Sequence, residues 1–239
     1  MQIDSKKINK ISTKELTIFK PNKKLFLAMA KKDRVDFIYN TSALEGNAMT
    51  YPEVATLLDG VTIGGHKLSD EQQILNQNRS VNLLFELIED DTFELNKETL
   101  LKLHKKVAFE EALSWGEFRS SGVNIGGTEY LPPKASDLDA IFVEGIEQIE
   151  MIKHPIIRAI SYFLFGAKSQ FFYDGNKRVS RLMMNAILLQ NGFPLLNIKA
   201  KNKFEFNKMM IDFYNAKKIE KSIGYLSTYY IKQNQHLLV

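Results

Sequence analysis

The chain has 239 residues, 44% of them apolar, with a formal net charge of +4 and no cysteine. That apolar fraction supports a real core and excludes low-complexity disorder, and the lack of cysteine excludes disulfides, thiolate metal sites and a cysteine nucleophile. The opening residues lack the apolar centre of a signal peptide and no run reaches the length of a membrane span, so a soluble, cytoplasmic chain with no membrane partner is expected. Much of the basic excess lies between residues 6 and 34, which reads as a solvated or surface-lying arm. A nucleic-acid protein should instead interleave a basic face with aromatics, and that pattern is not evident.

In chain order, Leu25, Phe26, Met29, Val35, Phe37 and Ile38 recur near helical spacing, interrupted by Lys31-Lys32-Asp33-Arg34. This predicts one or two helices, the last ending near Gly46 or Asn47 as a left-handed cap. Thr41 and Glu45 share one face of it. Thr50-Tyr51-Pro52-Glu53 reads as a capping box opening a short helix that Gly60 closes, and residues 61–67 as a loop. Ser69-Asp70-Glu71-Gln72 reads as a second capping box before an amphipathic helix to about residue 89. Asn96 caps the next, with Leu100, His104 and Val107 on one side and His104 read as a hydrogen-bonded structural histidine.

Between 116 and 133 the pattern changes. Phe118, Val123, Ile125, Tyr130 and Leu131 around Gly126-Gly127 predict a short β-hairpin. Ser136 is read as the cap of a helix burying Ile141, Phe142, Ile146 and Ile149. Pro155 opens another that is apolar almost all round, and Val179, Leu182, Met183, Ile187 and Leu188 describe a second core helix, ended by Gly192 and Pro194. Met and aromatic stripes in the last 40 or so residues predict two further amphipathic helices.

Residues 170–181 join the two core helices: Gln-Phe-Phe-Tyr-Asp-Gly-Asn-Lys-Arg-Val-Ser-Arg. Gly175 can take positive φ and bring its backbone close to a ligand, and the N–H groups opening the next helix point at anions. Lys177 and Arg178 add charge at the mouth, and Arg181 lies one turn on. Asp174 is placed to hold a Mg2+ travelling with phosphates. The stretch predicts a polyphosphate cradle.

It also resembles the Fic motif, H-x-F-x-D-G-N-[GK]-R-x-x-R, matching at Phe172, Asp174, Gly175, Asn176, Lys177, Arg178 and Arg181. The departure is Gln170, which stands where the family has its catalytic histidine. Upstream, Thr41, Glu45 and Gly46 resemble the inhibitory pattern [ST]-x-x-x-E-[GN], whose glutamate pairs in that family with the second motif arginine, here Arg181. The resemblance implies Mg-ATP as cofactor and substrate, and a protein target whose Ser, Thr or Tyr hydroxyl takes AMP. It makes the 116–133 hairpin a flap on which Val123, Ile125 and Tyr130 dock that target. Asn185 is implied as a contact near the adenine pocket.

The expected fold is therefore mostly all-α, a Fic-like helical bundle with a β-hairpin flap. An arm and inhibitory helix occupy 1–60, the core 61–195, and C-terminal helices of the same domain 196–239. A carboxamide has no useful basicity near neutral pH, and loss of a general base costs about 10²–10⁴-fold in rate, so weak or absent AMP transfer is expected. Two other readings stand beside this one: an active nucleotidyl- or phosphotransferase with altered mechanism, and a non-catalytic helical protein that binds an acidic partner. The sequence leaves open whether the chain self-associates.

Overall fold

In the computed structural model, residues 3–215 and 219–237 are described, and every long regular element among them is an α-helix. In order these are α1 (Ser5–Ile8), α2 (Lys23–Lys32), α3 (Arg34–Leu44), α4 (Tyr51–Leu58), α5 (Leu68–Glu89), α6 (Lys97–Val107), α7 (Leu138–Glu150), α8 (Pro155–Ser169), α9 (Asn176–Gln190), α10 (Lys203–Asn215) and α11 (Glu220–Asn234). None is long and apolar enough to cross a membrane.

Local chemistry explains several of the boundaries. Thr50 and Glu53 form the expected capping box, with the Thr50 N–H and hydroxyl both donating to Glu53 Oε2 at 2.7 Å. Asn96 Oδ1 accepts the Thr99 N–H at 2.9 Å and starts α6. The other two expected caps do not form. Helix α5 begins at Leu68, which puts Ser69 inside the first turn, and no side chain caps it. Ser136 sits within a short 3-10 turn and spends its hydroxyl on the Asp137 carboxylate, so α7 also starts uncapped.

The basic N-terminal arm is more firmly docked than a solvated arm would be. Its lysines at 6, 7, 10, 14 and 20 are exposed, but Ile3, Ile8, Leu16 and Phe19 between them are buried in the core. Ser5 and Asn9 hydrogen-bond to Gln148 and to the Met151 carbonyl at the end of α7.

The expected β-hairpin is absent: no strand occurs among the described residues, and 119–134 run as an extended loop. Side chains take the partners that a ladder would use. Arg119 donates through Nη1 to the Ser121 carbonyl and through Nη2 to the Pro133 carbonyl, each at 2.6 Å. The Tyr130 N–H goes to Thr128 Oγ1, and Pro132 and Pro133 have no N–H to offer.

At the centre, α8 and α9 pack along each other, and nearly every residue of both is buried. Their close approach depends on Gly166. A Cβ there would lie 2.4 Å from Ser180 Oγ and 3.2 Å from Ser180 Cβ. Gly166→Ala should therefore destabilise the fold by about 1–3 kcal/mol through overpacking, despite alanine's ~1 kcal/mol helical advantage. Adding Ser180→Ala should recover part of the loss. Urea denaturation checks this, and a Gly166→Ala protein as stable as the parent would show the helices are not held so close.

Candidate active site

The chain leaves α8 and enters α9 through two left-handed residues. Gln170 closes α8 at φ +50°, and Gly175 precedes α9 at φ +76°. For Gln170 that conformation is unusual and must be held by its surroundings. Asn176 does much of the holding: Oδ1 accepts the Phe172 N–H at 2.9 Å, while Nδ2 donates to the Phe172 carbonyl at 2.8 Å and to Gln170 Oε1 at 3.1 Å. Gln170 Nε2 donates to the Ala167 carbonyl at 2.6 Å, so both ends of its carboxamide are engaged. Arg119 Nε secures the Gln170 carbonyl at 2.6 Å, which ties the turn to both ends of the 119–134 loop.

His104 fastens the turn to α6. Its ring stacks on Phe172 with centroids 3.5 Å apart. Nδ1 accepts the Gly116 N–H at 3.1 Å, so Nε2 carries the proton and donates to the Asp174 carbonyl at 2.9 Å. Burial pulls the imidazole pKa down to about 4, against the bond to Asp174. It is a neutral strut, as its place on the apolar face of α6 led us to expect, and neither nitrogen is available as a base. Gly175 passes so close that a Cβ would meet Val107 at 3.2 Å and His104 at 3.4 Å, which with its positive φ leaves room only for glycine.

The charged residues converge on the opening of α9. The Glu45 carboxylate, at the C-terminal end of α3, pairs with Arg181 Nη2 and, at 2.9 Å, with Lys177 Nζ. Burial alone would raise its pKa, but Arg181, Lys177 and Arg178 together hold it at about 2. Arg181 is 1% exposed, and its Nε and Nη1 have no hydrogen-bond partner among the described residues. Arg178 donates through Nη1 to Glu111 Oε2 at 2.7 Å and to the Val107 carbonyl at 3.2 Å, with Nη2 3.4 Å from Asp174 Oδ2. Asp174 is itself largely exposed, and its Oδ1 accepts the Gly175 N–H at 2.5 Å.

These groups border a cleft of ≈ 410 Å³. Glu45, Gln170, Asp174, Gly175, Asn176, Lys177 and Arg178 all line it; Arg181, held behind Glu45, does not. Asn124, Ile125 and Gly126 of the extended loop form one wall, and Asn207, Met210, Ile211 and Tyr214 of α10 another. Val123 and Tyr130 lie on the same loop, with Tyr130 stacked at 6.2 Å on Tyr214. Thr41 is buried on α3, and Gly46 takes φ +100° where the chain leaves that helix. Asn185 does not fit the expected role: it is fully buried, and its amide bonds the Leu196 N–H and carbonyl at 2.9 and 3.2 Å.

Sequence reasoning missed Glu111, the clamping role of Arg119, and the whole α10 wall. It also missed Tyr173, whose hydroxyl meets Ser120 and Ser121 at the base of the loop. Nothing in local spacing marked Glu111; the signal for Arg119 was its place beside Phe118 ahead of the turn-rich segment.

Because His104 titrates at 6.5 when unfolded and at about 4 when folded, the unfolded chain binds the extra proton between those values. Stability should therefore be intact above pH 6.5 and fall by about 3 kcal/mol as the pH drops to 4. His104→Gln, which can keep one donor and one acceptor, should flatten that part of the stability profile. An unchanged slope in denaturation experiments at pH 4–7 would mean that His104 is not buried neutral.

Comparison with known proteins agrees with this geometry. Residues 94–188 match the Fic/DOC family model. The chain is 25% identical over 182 residues to "Protein adenylyltransferase Fic" of Culex quinquefasciatus, covering 74% of this chain and 36% of that protein. It is 25% identical over 214 residues to the protein of the same name from Nematostella vectensis, covering 86% and 49%. The chain thus spans less than half the length of these curated relatives. Among solved structures, a Fic domain containing signaling protein from Bacteroides thetaiotaomicron superposes with TM-score 0.76 at 20% identity, covering 98% of this chain and 95% of that one. Fic-1 from C. elegans superposes with TM-score 0.77 at 17% identity, covering 97% and 68%. Those two likenesses establish the fold, and the segment similar to the Fic/DOC family model contains the turn and both arginines.

Proposed function

We propose that the cleft binds Mg-ATP and that the chain is related in activity to protein AMP transferases, held shut by Glu45 and left weak or inactive by Gln170. The carrying observation is the Glu45 carboxylate, which takes Arg181 and Lys177 at once at the mouth of an anion-receptive helix start. A triphosphate has chemical use for the same cations. Two nitrogens of buried Arg181 lack a partner among the described residues, which fits a guanidinium only partly satisfied by the latch.

The residues present fit a magnesium nucleotide. Among the described residues no group of three or more His, Cys, Asp or Glu could hold a metal alone. Asp174 would supply one protein ligand and the phosphates the others, a common arrangement for Mg2+. The metal would neutralise phosphate charge; the rest falls to the chain. Gly175 and the first N–H groups of α9 receive phosphate oxygens, Asn176 holds the turn in shape, and Lys177, Arg178 and Arg181 balance charge. The apolar and aromatic α10 wall suits the base. Ile125, with Val123 and Tyr130 on the same loop, offers an extended edge to a segment of a target protein bearing a hydroxyl.

Proton removal is the missing function. Gln170 can accept or donate hydrogen bonds, but both ends of its side chain are engaged, by the Ala167 carbonyl and by Asn176, and it cannot take a proton near pH 7. Histidine is among the residues that tolerate the left-handed backbone found there, so Gln170→His is conformationally reasonable.

Two outcomes follow. Calorimetry should show Glu45→Gly binding Mg-ATP about tenfold or more tighter than the parent, since an ion pair no longer competes. Glu45 titrates at about 2 when folded against 4.5 unfolded, so its pairing is complete above pH 4.5 and lost only as pH falls towards 2. The gain should accordingly persist from pH 8 down to pH 5. No binding by either protein would remove nucleotide from the account. With labelled ATP and a cell lysate, Glu45→Gly combined with Gln170→His should transfer AMP, and either change alone should give about 10²-fold less. Equal labelling by Glu45→Gly with Gln170 retained would show that no base is needed at position 170 and favour a transferase with altered mechanism.

A further inference from the structure

We infer that Glu111 is a positioning residue for the cleft: it grips the far side of Arg178 and keeps the other edge of that guanidinium aimed at Asp174 and the ligand. This inference rests on the nucleotide-binding reading for its consequence, but not for its geometry.

The arrangement is built from three separate elements. Arg178, on α9, and Glu111, in the loop after α6, have side chains only 3% and 11% exposed. Arg178 Nη1 is used up by Glu111 Oε2 at 2.7 Å and the Val107 carbonyl at 3.2 Å. Glu111 Oε1 accepts Asn76 Nδ2 of α5 at 2.7 Å, and the same Nδ2 also donates to the Phe109 carbonyl at 2.7 Å. Asn76 Oδ1 accepts from Gln72 at 2.9 Å and Arg79 at 3.3 Å. Every polar atom of the Asn76 side chain and both carboxylate oxygens of Glu111 are therefore partnered, and a fully satisfied buried network of this kind is rigid. Glu110, immediately before Glu111, is one of three non-glycine residues at positive φ among the described residues, at +59°.

The direction of the contacts separates positioning from competition. Glu45 sits across cations at the cleft mouth, where phosphates would go. Glu111 does not line the cleft and holds Nη1, leaving Nη2 on the Asp174 side. Without it, Nη1 loses its charged partner, and the planar fork of Arg178 is no longer fixed with Nη2 beside Asp174 at the edge of the cleft.

Two measurements decide the matter. In the Glu45→Gly background, Glu111→Gln should weaken Mg-ATP binding in calorimetry about ten- to hundredfold, and Glu111→Asp should restore part of it. A second latch would give the opposite sign, so tighter or unchanged binding overturns the inference. A merely structural role would lower the melting temperature while leaving the affinity of the folded protein unmoved. Independently of any nucleotide, ¹⁵N NMR of the arginine side chains, with Arg178 assigned by Arg178→Lys, should show slowly rotating Nη groups in the parent and averaged ones in Glu111→Gln. Unchanged Nη signals would also overturn it. Failure of the Glu45→Gly protein itself to bind Mg-ATP would sink the nucleotide reading, while the NMR comparison would still show whether Glu111 fixes the guanidinium.

Discussion

The chain has to reverse between two helices that are buried almost from end to end, and it has residues 170–175 in which to do it. Nearly all sides of α8 and α9 are occupied by core, so the reversal cannot be a loose surface loop. Its two ends take left-handed backbone at Gln170 and Gly175, its apolar side chains Phe171 and Phe172 are pressed inward, and its polar backbone groups must find partners locally. Asn176, His104 and Arg119 supply them, each bonding backbone atoms of the turn. The result is a bend fixed at once from α6, from the start of the 119–134 loop and from the first residue of α9. Sites held by locked rotamers on rigid elements are the ones that keep their geometry.

The same burial governs the charges. Lys177, Arg178 and Arg181 enter a crowded region in which an unpaired cation would be expensive, and each is matched to a carboxylate from elsewhere in the chain. Glu45 arrives from α3 and Glu111 from the loop after α6. The two pairs differ in kind. Glu45 spans two cations at the rim of the cleft and leaves two nitrogens of Arg181 without partners among the described residues, whereas Glu111 joins Asn76 behind Arg178. The first lies at the rim of the cleft, and the second lies behind it.

The loop of residues 119–134 shows how side chains can replace a ladder. Alternation of apolar residues around Gly126-Gly127 indicated a hairpin, yet Arg119 closes the loop across its base and Tyr130 packs on Tyr214 of α10. Thr128 adds a bond to Asn215 at 2.9 Å. The segment forms no ladder and still walls the cleft through Asn124 to Gly126. Pattern alone could not anticipate this, because a buried guanidinium with three carbonyl acceptors leaves no periodic trace.

Local signals thus decided much. Capping at Thr50 and Asn96, proline at Pro155, glycine at Gly46, Gly60, Gly175 and Gly192, and unbroken apolar runs in α8 and α9 mark helices by the conformations and burial they require. The spacing from Phe172 to Arg181 likewise determined that an acidic residue, a glycine and three cations gather at one helix start, since that placement follows from 3.6 residues per turn. Only the tertiary structure decided which anions those cations meet, that Asn185 serves the Leu196 backbone, and that α10 walls the cleft. Glu45 and Arg181 are 136 residues apart and Glu111 and Arg178 are 67. Contacts at such separations depend on how whole helices pack, and no periodicity along the chain encodes them.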